Sequence, residues 1–78
     1  MVIAFILINT KPSKEYEVLD KIKKSFDNIL DSCVVYGEYD IILKVRVDNI
    51  EDLRKFVIDN LRKIEGIEKT TTLISAEL

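Results

Sequence analysis

The chain has 78 residues, with 12 Lys and Arg, 14 Asp and Glu and no His, which gives a formal net charge of -2 at pH 7. This length predicts a single small domain over residues 1–78, whose hydrophobic core alone would be marginal. With no His and a single Cys, one chain cannot supply a tetrahedral zinc site, a Ser-His or Cys-His nucleophile or an internal disulfide. We therefore expect no catalytic residues, no metal and no cofactor. The slight negative charge also argues against direct nucleic-acid binding.

The first element is an apolar run, Val2–Ile8, that is rich in β-branched residues. It is far shorter than the roughly 20 residues of a membrane span, and nothing basic precedes it as in a signal peptide. We expect a strand that is buried on both faces, at the centre of a sheet, in a cytoplasmic protein. The single Cys33, predicted to be a small buried hydrophobe, agrees with a reducing compartment.

A first helix is predicted after the break at Asn9 to Ser13, with Ser13 as the cap and Lys14 as the first helical residue. Its buried face is predicted from the apolar residues at helical spacing, which are Tyr16, Leu19, Ile22 and Phe26. On the opposite face, Glu17 with Lys21 and Asp20 with Lys24 have the i,i+4 spacing of ion pairs. Phe5, Phe26 and Phe56 are all assigned to the core.

A β-hairpin is predicted next, from Ile29–Tyr36 and Ile41–Val47 around a turn at Gly37, Glu38, Tyr39 and Asp40. Gly37 is expected to have a positive φ in this turn. Alternation in the second of these strands points Ile41, Leu43, Val45 and Val47 to the core, and Ile42, Lys44 and Arg46 to the other face.

The second helix has two candidate caps, Asp48 and Asn49, between which the sequence does not choose. Either start predicts one apolar face made of Ile50, Leu53, Val57, Leu61 and Ile64. Gly66 is placed to end the helix, and Ile67–Ile74 is predicted to be the last strand, which carries Thr70, Thr71 and Thr72.

The order β-α-β-β-α-β predicts an α+β, ferredoxin-like fold: a four-stranded antiparallel sheet, its first and third strands central, with both helices on one face. The other face of the sheet is left open. Because Val2–Ile8 is apolar at every position, that open face also has to lose water. We therefore expect a dimer that packs sheet to sheet, as a dimeric α+β barrel.

Three segments carry a resemblance to a known family: the stretch from Val35 to Val45 with its Gly-Glu-Tyr-Asp turn, the helical stretch from Phe56 to Leu61, and the Gly-Ile-Glu-Lys-Thr-Thr-Thr strand that starts at Gly66. Together they resemble the C-terminal domain of the Lrp/AsnC transcription regulators, called RAM for regulation of amino-acid metabolism. The resemblance runs from about Ala4 to Ile74. Members of this family usually carry a helix-turn-helix domain before this module. Since this chain starts at the first strand, it looks like a stand-alone RAM domain.

The resemblance implies a ferredoxin-like dimer that assembles into octamers or larger rings and binds small effectors, usually amino acids, between dimers. The function expected on this basis is amino-acid sensing and oligomerisation. Any regulation of transcription would pass through a full-length Lrp/AsnC regulator, not through DNA contacts of this chain. No membrane partner is expected.

The effector-binding residues predicted in this way are Gly37, Glu38, Tyr39, Asp40, Thr70 and Thr72. Asp40 would suit an effector's ammonium group, or would bond turn amides instead. The hydroxyls of Thr70 and Thr72 share a face and would hydrogen-bond a polar ligand, although strand propensity alone also explains a threonine run. Lys44 and Arg46 are expected to be solvated or ion-paired.

Two alternative functions stay open at this point. Small dimeric α+β barrel enzymes of the monooxygenase or isomerase kind share the architecture, but their sites usually need His, Asn or Trp in a deep apolar cavity. ACT-type amino-acid-binding domains share the element order, but they typically pair side by side, which would leave the apolar first strand uncovered.

Overall fold

The computed structural model of the chain describes residues 1–76. Four strands and two helical segments follow one another in the predicted order: β1 (Val2–Thr10), α1 (Glu15–Ser25), β2 (Ile29–Val34), β3 (Ile41–Val47), α2 (Ile50–Lys55) and β4 (Ile67–Ile74). The helix that starts as α2 continues as a π-helical turn, Phe56–Asn60, and a 3-10 turn, Leu61–Lys63. Among residues 1–76 no helix is long and apolar enough to cross a bilayer.

The strands form one antiparallel sheet in the order β2-β3-β1-β4, which confirms the ferredoxin-like fold and the central positions of the first and third strands. In β1 the even-numbered residues Ala4, Ile6 and Ile8 are fully buried beneath the helices, whereas Phe5 is 36% exposed on the other side. The sheet therefore has one helix-covered face and one open face.

The core lies between the helix-covered face and the helices. Its members are Ala4, Ile6 and Ile8 from β1, Val18 and Ile22 from α1, Ile41, Leu43 and Val45 from β3, and Leu53, Phe56 and Leu61 from α2 and the turns after it. Phe26 and Phe56 join the two helical segments in an edge-to-face contact, with ring centroids 4.9 Å apart. The alternation predicted for β3 is confirmed.

The start of α1 differs from the prediction. Ser13 does not cap the helix, because it has a φ of 68° within a turn in which the Lys14 N–H donates to the Lys11 carbonyl. A positive φ after Pro12 is the pattern of a type II turn. The helix then begins at Glu15 without a side-chain cap.

The predicted buried face of α1 is confirmed for Leu19, Ile22 and Phe26, which contact the core, but is wrong for Tyr16. Tyr16 is 72% exposed, and the fully buried Val18 takes its place beside Ile22. Val18 faces Gly66, where an added Cβ would lie 2.8 Å from its Cγ2. Val18 therefore packs closely against Gly66, directly before β4, where only a glycine leaves room for it. The predicted ion pair between Asp20 and Lys24 is present at 3.0 Å, while Glu17 lies 3.6 Å from Lys14 instead of pairing with Lys21.

The cap of α2 is Asn49, whose side-chain oxygen accepts a hydrogen bond from the Asp52 N–H at 2.8 Å. This settles the choice that the sequence left open between Asn49 and Asp48. Leu53 is buried as predicted, but Ile50 is 50% exposed because it lies at the first turn, near the edge of the sheet.

Two residues expected in the core lie on the open face. Phe5 pairs with Lys44 and Leu73 on the neighbouring strands, and the Lys44 Nζ is 6.0 Å from the centroid of its ring. Cys33 pairs with Ile42 and is exposed, so the prediction of a buried thiol is wrong. In both cases the pleat of the sheet turns the side chain away from the helices.

Candidate functional site

The loop between β2 and β3, residues 35–40, is held at both of its ends. The Val35 N–H donates to the Asp40 carbonyl at 2.8 Å, and the Asp40 N–H donates to the Ile8 carbonyl of β1 at 2.9 Å. The loop is therefore attached to the central strand as well as to its own hairpin. We call these six residues the 35–40 loop.

The carboxylate of Asp40 strengthens this attachment. Its Oδ2 accepts from the backbone N–H of Thr10 at 2.8 Å, and Thr10 is only 6% exposed. The Thr10 hydroxyl lies 3.5 Å from the same oxygen, which is long for a hydroxyl hydrogen bond. Asp40 thus bonds an amide of β1 instead of an amide of its own turn. Its Oδ1 makes no hydrogen bond within residues 1–76.

A second side chain of β1 holds the loop, and sequence reasoning missed it. The Asn9 Nδ2 donates to the Glu38 carbonyl at 2.7 Å. The sequence analysis ended the first strand at Ile8 and placed Asn9 in the break that follows, whereas β1 runs on to Thr10. The available signal was two polar residues, Asn9 and Thr10, directly after an apolar central strand.

The conformation of the loop depends on Gly37, which has a φ of +133° as the turn prediction required. An added Cβ at this position would meet nothing within 4 Å, so backbone conformation and not crowding calls for glycine. Tyr36 before it is 99% exposed, Glu38 is exposed and Tyr39 is half-buried. The loop thus presents its outer surface to solvent in a single chain.

Thr70 and Thr72 share a face, as predicted, and the register identifies that face as the helix-covered one. Thr70 pairs with Ile8 and Thr72 with Ile6, both of which are fully buried beneath the helices. The strand β1 separates Thr70 and Thr72 from the 35–40 loop, a distance of roughly 10 Å across two strand spacings. The structure therefore brings Gly37, Glu38, Tyr39 and Asp40 together but leaves the two threonines apart from them within one chain.

Thr72 instead lines a groove of about 220 Å³ between α2 and the edge strand β4. The lining residues are Ile50, Leu53, Arg54, Val57, Ile58 and Thr72. We call this feature the α2–β4 groove. Among residues 1–76 no group of three or more His, Cys, Asp or Glu side chains is arranged to hold a metal ion.

The family model for the Lrp/AsnC ligand binding domain matches residues 3–77, so the chain belongs to this family of transcription regulators and not to a family of enzymes. This confirms the resemblance drawn from the Gly-Glu-Tyr-Asp turn and the Gly66 strand.

Individual relatives agree with this assignment. An uncharacterized HTH-type transcriptional regulator of Pyrococcus furiosus is 40% identical over 75 residues, which are 92% of this chain and 49% of that protein. The chain thus spans about half the length of the curated relatives that it matches. Among solved structures, FFRP-DM1 is 43% identical with a TM-score of 0.90, over 96% of this chain and 99% of that one. AsnC of E. coli is 29% identical with a TM-score of 0.90, over 99% of this chain and 52% of that one.

Proposed function

We propose that this chain is an amino-acid-sensing and oligomerisation module that regulates transcription through assembly with a DNA-binding relative. The observation that carries this proposal is the match of residues 3–77 to the Lrp/AsnC ligand binding domain. A regulator of Neisseria meningitidis was solved as a complex with L-Met and has a TM-score of 0.87 to this chain. At 18% identity that likeness establishes a shared fold and nothing more.

The 35–40 loop is our candidate for the contact with the effector. Asp40 keeps Oδ1 free of hydrogen bonds within residues 1–76 while its Oδ2 is held by Thr10. A free carboxylate oxygen in a fixed position suits an ammonium group, since charge-assisted hydrogen bonds are the strong ones. The backbone at Gly37 has no side chain to keep a ligand away. In this proposal Glu38 and Tyr39 flank the ligand.

A second copy is needed to enclose a ligand at this loop, because a single chain leaves it open to solvent. Thr70 and Thr72 enter the proposed site only as residues of a neighbouring copy, since β1 separates them from the loop of their own chain. Effector binding and assembly are then linked: a ligand bound between copies stabilises the oligomer that forms the pocket.

The open face of the sheet is the proposed dimer interface. It presents apolar side chains from three strands, among them Phe5, which is 36% exposed, and Leu73, which is 52% exposed. Lys44 and Arg46 on the same face are exposed. Asp31 of β2 lies opposite Lys44 of β3 in the strand register. An apolar centre bordered by charges of both signs is the composition of a specific interface. Dimers formed in this way would assemble further into an octamer or a larger ring.

The partner that contacts DNA would be a full-length regulator of the family. The curated relatives are HTH-type regulators about twice as long as this chain. The net charge of -2 on this chain does not favour phosphate contacts. In a mixed oligomer of this chain and a full-length regulator, joined through the domain that both contain, effector binding to this chain would affect the DNA-bound protein.

Thermal unfolding in the presence of each common amino acid, with light scattering on the same samples, tests the proposal. A ligand at about 100 times its Kd should stabilise the folded state by roughly 2.7 kcal/mol, a shift of many degrees for a domain of this size. We expect one amino acid to raise both the midpoint and the oligomer mass. Asp40→Asn, which keeps an oxygen acceptor for Thr10, should lose most of that response, whereas Asp27→Asn, at an exposed position after α1, should keep it. If no amino acid changes either reading, amino-acid sensing by this chain is contradicted.

The exposed thiol of Cys33 tests the dimer interface independently of any ligand, since it lies on the open face of the sheet. If copies pack sheet to sheet, the rate at which this thiol reacts with a maleimide should fall as the protein concentration rises through the range in which the dimer forms. Phe5→Lys should restore the fast rate and reduce the mass in sedimentation. A rate that is independent of concentration, in a protein that sediments as a dimer, would place the interface elsewhere.

A further inference from the structure

A cleft lies between the C-terminal end of α1 and the π-helical turn, lined by residues 23–28 together with Phe56 and Asn60. We call it the Phe26 cleft. Its volume of about 630 Å³ is within the roughly 300 to 1,000 Å³ that is typical of small-molecule and cofactor sites. The six-residue strand β2, roughly 20 Å long, separates the cleft from the 35–40 loop. A ligand in the cleft therefore would not contact the loop.

The apolar part of the Phe26 cleft is aromatic. Phe56 is 6% exposed and packs edge to face on Phe26, with ring centroids 4.9 Å apart. Phe26 is half-buried, so part of its ring is accessible to a ligand in the cleft. Phe56 and Asn60 are the first and last residues of the π-helical turn, and such turns occur frequently at functional sites. An aromatic surface beside polar side chains favours a flat ligand with polar edges.

The polar side chains of the cleft are mostly unpaired. Lys24 is 3.0 Å from Asp20, but five others have no hydrogen bond or ion pair within residues 1–76, namely Lys23, Ser25, Asp27, Asn28 and Asn60. Asn28 is fixed through its backbone, since its carbonyl accepts from the Arg46 N–H at 3.1 Å, and it is half-buried. A half-buried amide whose donor and acceptor are both unused is suited to recognise one edge of a ligand.

These groups together match the parts of an adenine nucleotide. An Asn amide offers one donor and one acceptor, which match N7 and the N6 amino group of adenine. A carboxylate such as Asp27 accepts hydrogen bonds from ribose hydroxyls, and the unpaired Lys23 supplies a charge for a phosphate. The last carbonyls of α1 carry partial negative charge, so the amino group of the base, and not the phosphate, would lie against them.

We propose that the Phe26 cleft is a binding site for an adenine nucleotide such as adenosine monophosphate (AMP). The base stacks on Phe26, and Asn28 binds its edge. Asp27 binds the ribose and Lys23 binds the phosphate, while Asn60 contacts the ligand from the π-helical turn. Binding here is independent of the proposed loop site, because no residue of the 35–40 loop lines the cleft.

Titration of the ¹⁵N-labelled chain with AMP and three related compounds tests the proposal. AMP should produce saturable shifts of the amides of residues 23–28 and of the π-helical turn. Inosine monophosphate has an oxygen in place of the N6 amino group, and should bind about tenfold more weakly because the Asn pair with adenine is lost. Adenosine lacks the phosphate and ribose 5-phosphate lacks the base, so each should also bind about tenfold more weakly or less.

Variants assign the effect to the cleft. Lys23→Gln should weaken AMP binding by about tenfold but leave adenosine binding unchanged, whereas Lys21→Gln, an exposed lysine of α1 outside the lining, should change neither. Asn28→Ala should remove the preference for AMP over inosine monophosphate. Asp40→Asn should leave AMP binding unchanged, so that failure of the loop site and failure of the cleft are told apart. The spectra themselves report whether each variant is folded.

Any of four results would overturn the proposal. The first is the absence of saturable shifts at the cleft at millimolar AMP. The second is equal binding of ribose 5-phosphate and AMP, which would mean that surface lysines attract a phosphate and nothing more. The third is a preference for AMP that survives in Asn28→Ala. The fourth is that the same amides shift with protein concentration in the absence of ligand, which would mean that a second copy occupies the cleft.

Discussion

Asp40 offers a direct measurement of how the 35–40 loop is held. In Asp40→Ala the Thr10 N–H loses its acceptor, and since Thr10 is 6% exposed, little water can replace it. A buried donor left without a partner costs about 1 to 3 kcal/mol. We expect a loss of about 2 kcal/mol in the free energy of unfolding. In a domain of this size that loss lowers the melting temperature by roughly 8 to 16 °C.

Urea unfolding of wild type and variants at one fixed protein concentration provides the assay, because self-association would make stability depend on concentration. Asp40→Asn keeps an oxygen for the Thr10 amide but loses the charge, and should cost about half as much, as neutral hydrogen bonds are roughly half as strong. Glu38→Ala is the matched control in the same loop. Its side chain is exposed, and the loop is held by its carbonyl, so the change should stay within about 0.5 kcal/mol. Equal stability of Asp40→Ala and wild type would refute this account of how the loop is held.

Three further substitutions separate backbone strain, steric crowding and capping. Gly37→Ala should cost about 1 to 3 kcal/mol from its positive φ alone, measured by thermal unfolding, and a neutral result would mean that the loop relaxes freely. Gly66→Ala should cost more than Gly37→Ala in the same experiment, because its Cβ would also lie 2.8 Å from the Val18 Cγ2; the reverse order would contradict the packing at this position. Asn49→Ala should cost about 0.5 to 2 kcal/mol in urea unfolding by removing the acceptor of the Asp52 N–H, while Asn49→Asp, which keeps an acceptor, should cost less.

The elements that follow local rules were predictable from the sequence. Ile41–Val47 and Ile67–Ile74 have the bounds that alternation and turn residues indicated, and Gly37 has the positive φ that its turn required. Asn49 was one of two predicted caps. Each of these features depends on residues a few positions apart along the chain, whose conformational preferences are already present in the unfolded peptide.

The features that required the tertiary structure depend on which elements become neighbours. Neighbouring apolar side chains of β1 lie on opposite faces of the sheet. Ile6 is buried beneath the helices, while Phe5 lies on the open face. Val18 and not Tyr16 lies on the buried face of α1, where it packs against Gly66, a residue 48 positions away along the chain. The spacing of apolar residues in the sequence predicts which side chains share a face of a helix or strand. Packing against the other elements determines which of these faces is buried.

The candidate site combines a turn that the sequence predicts with contacts that only the tertiary structure provides. The Gly-Glu-Tyr-Asp turn was recognisable in the sequence, but the hydrogen bonds that hold it come from Asn9 and Thr10, which are 29 and 30 residues away from their partners. The strand order β2-β3-β1-β4 places the end of β1 against the loop and leaves Thr70 and Thr72 on the far side of that strand. Conformational preferences act over a few residues, whereas a binding surface is made by contacts between segments that only folding brings together.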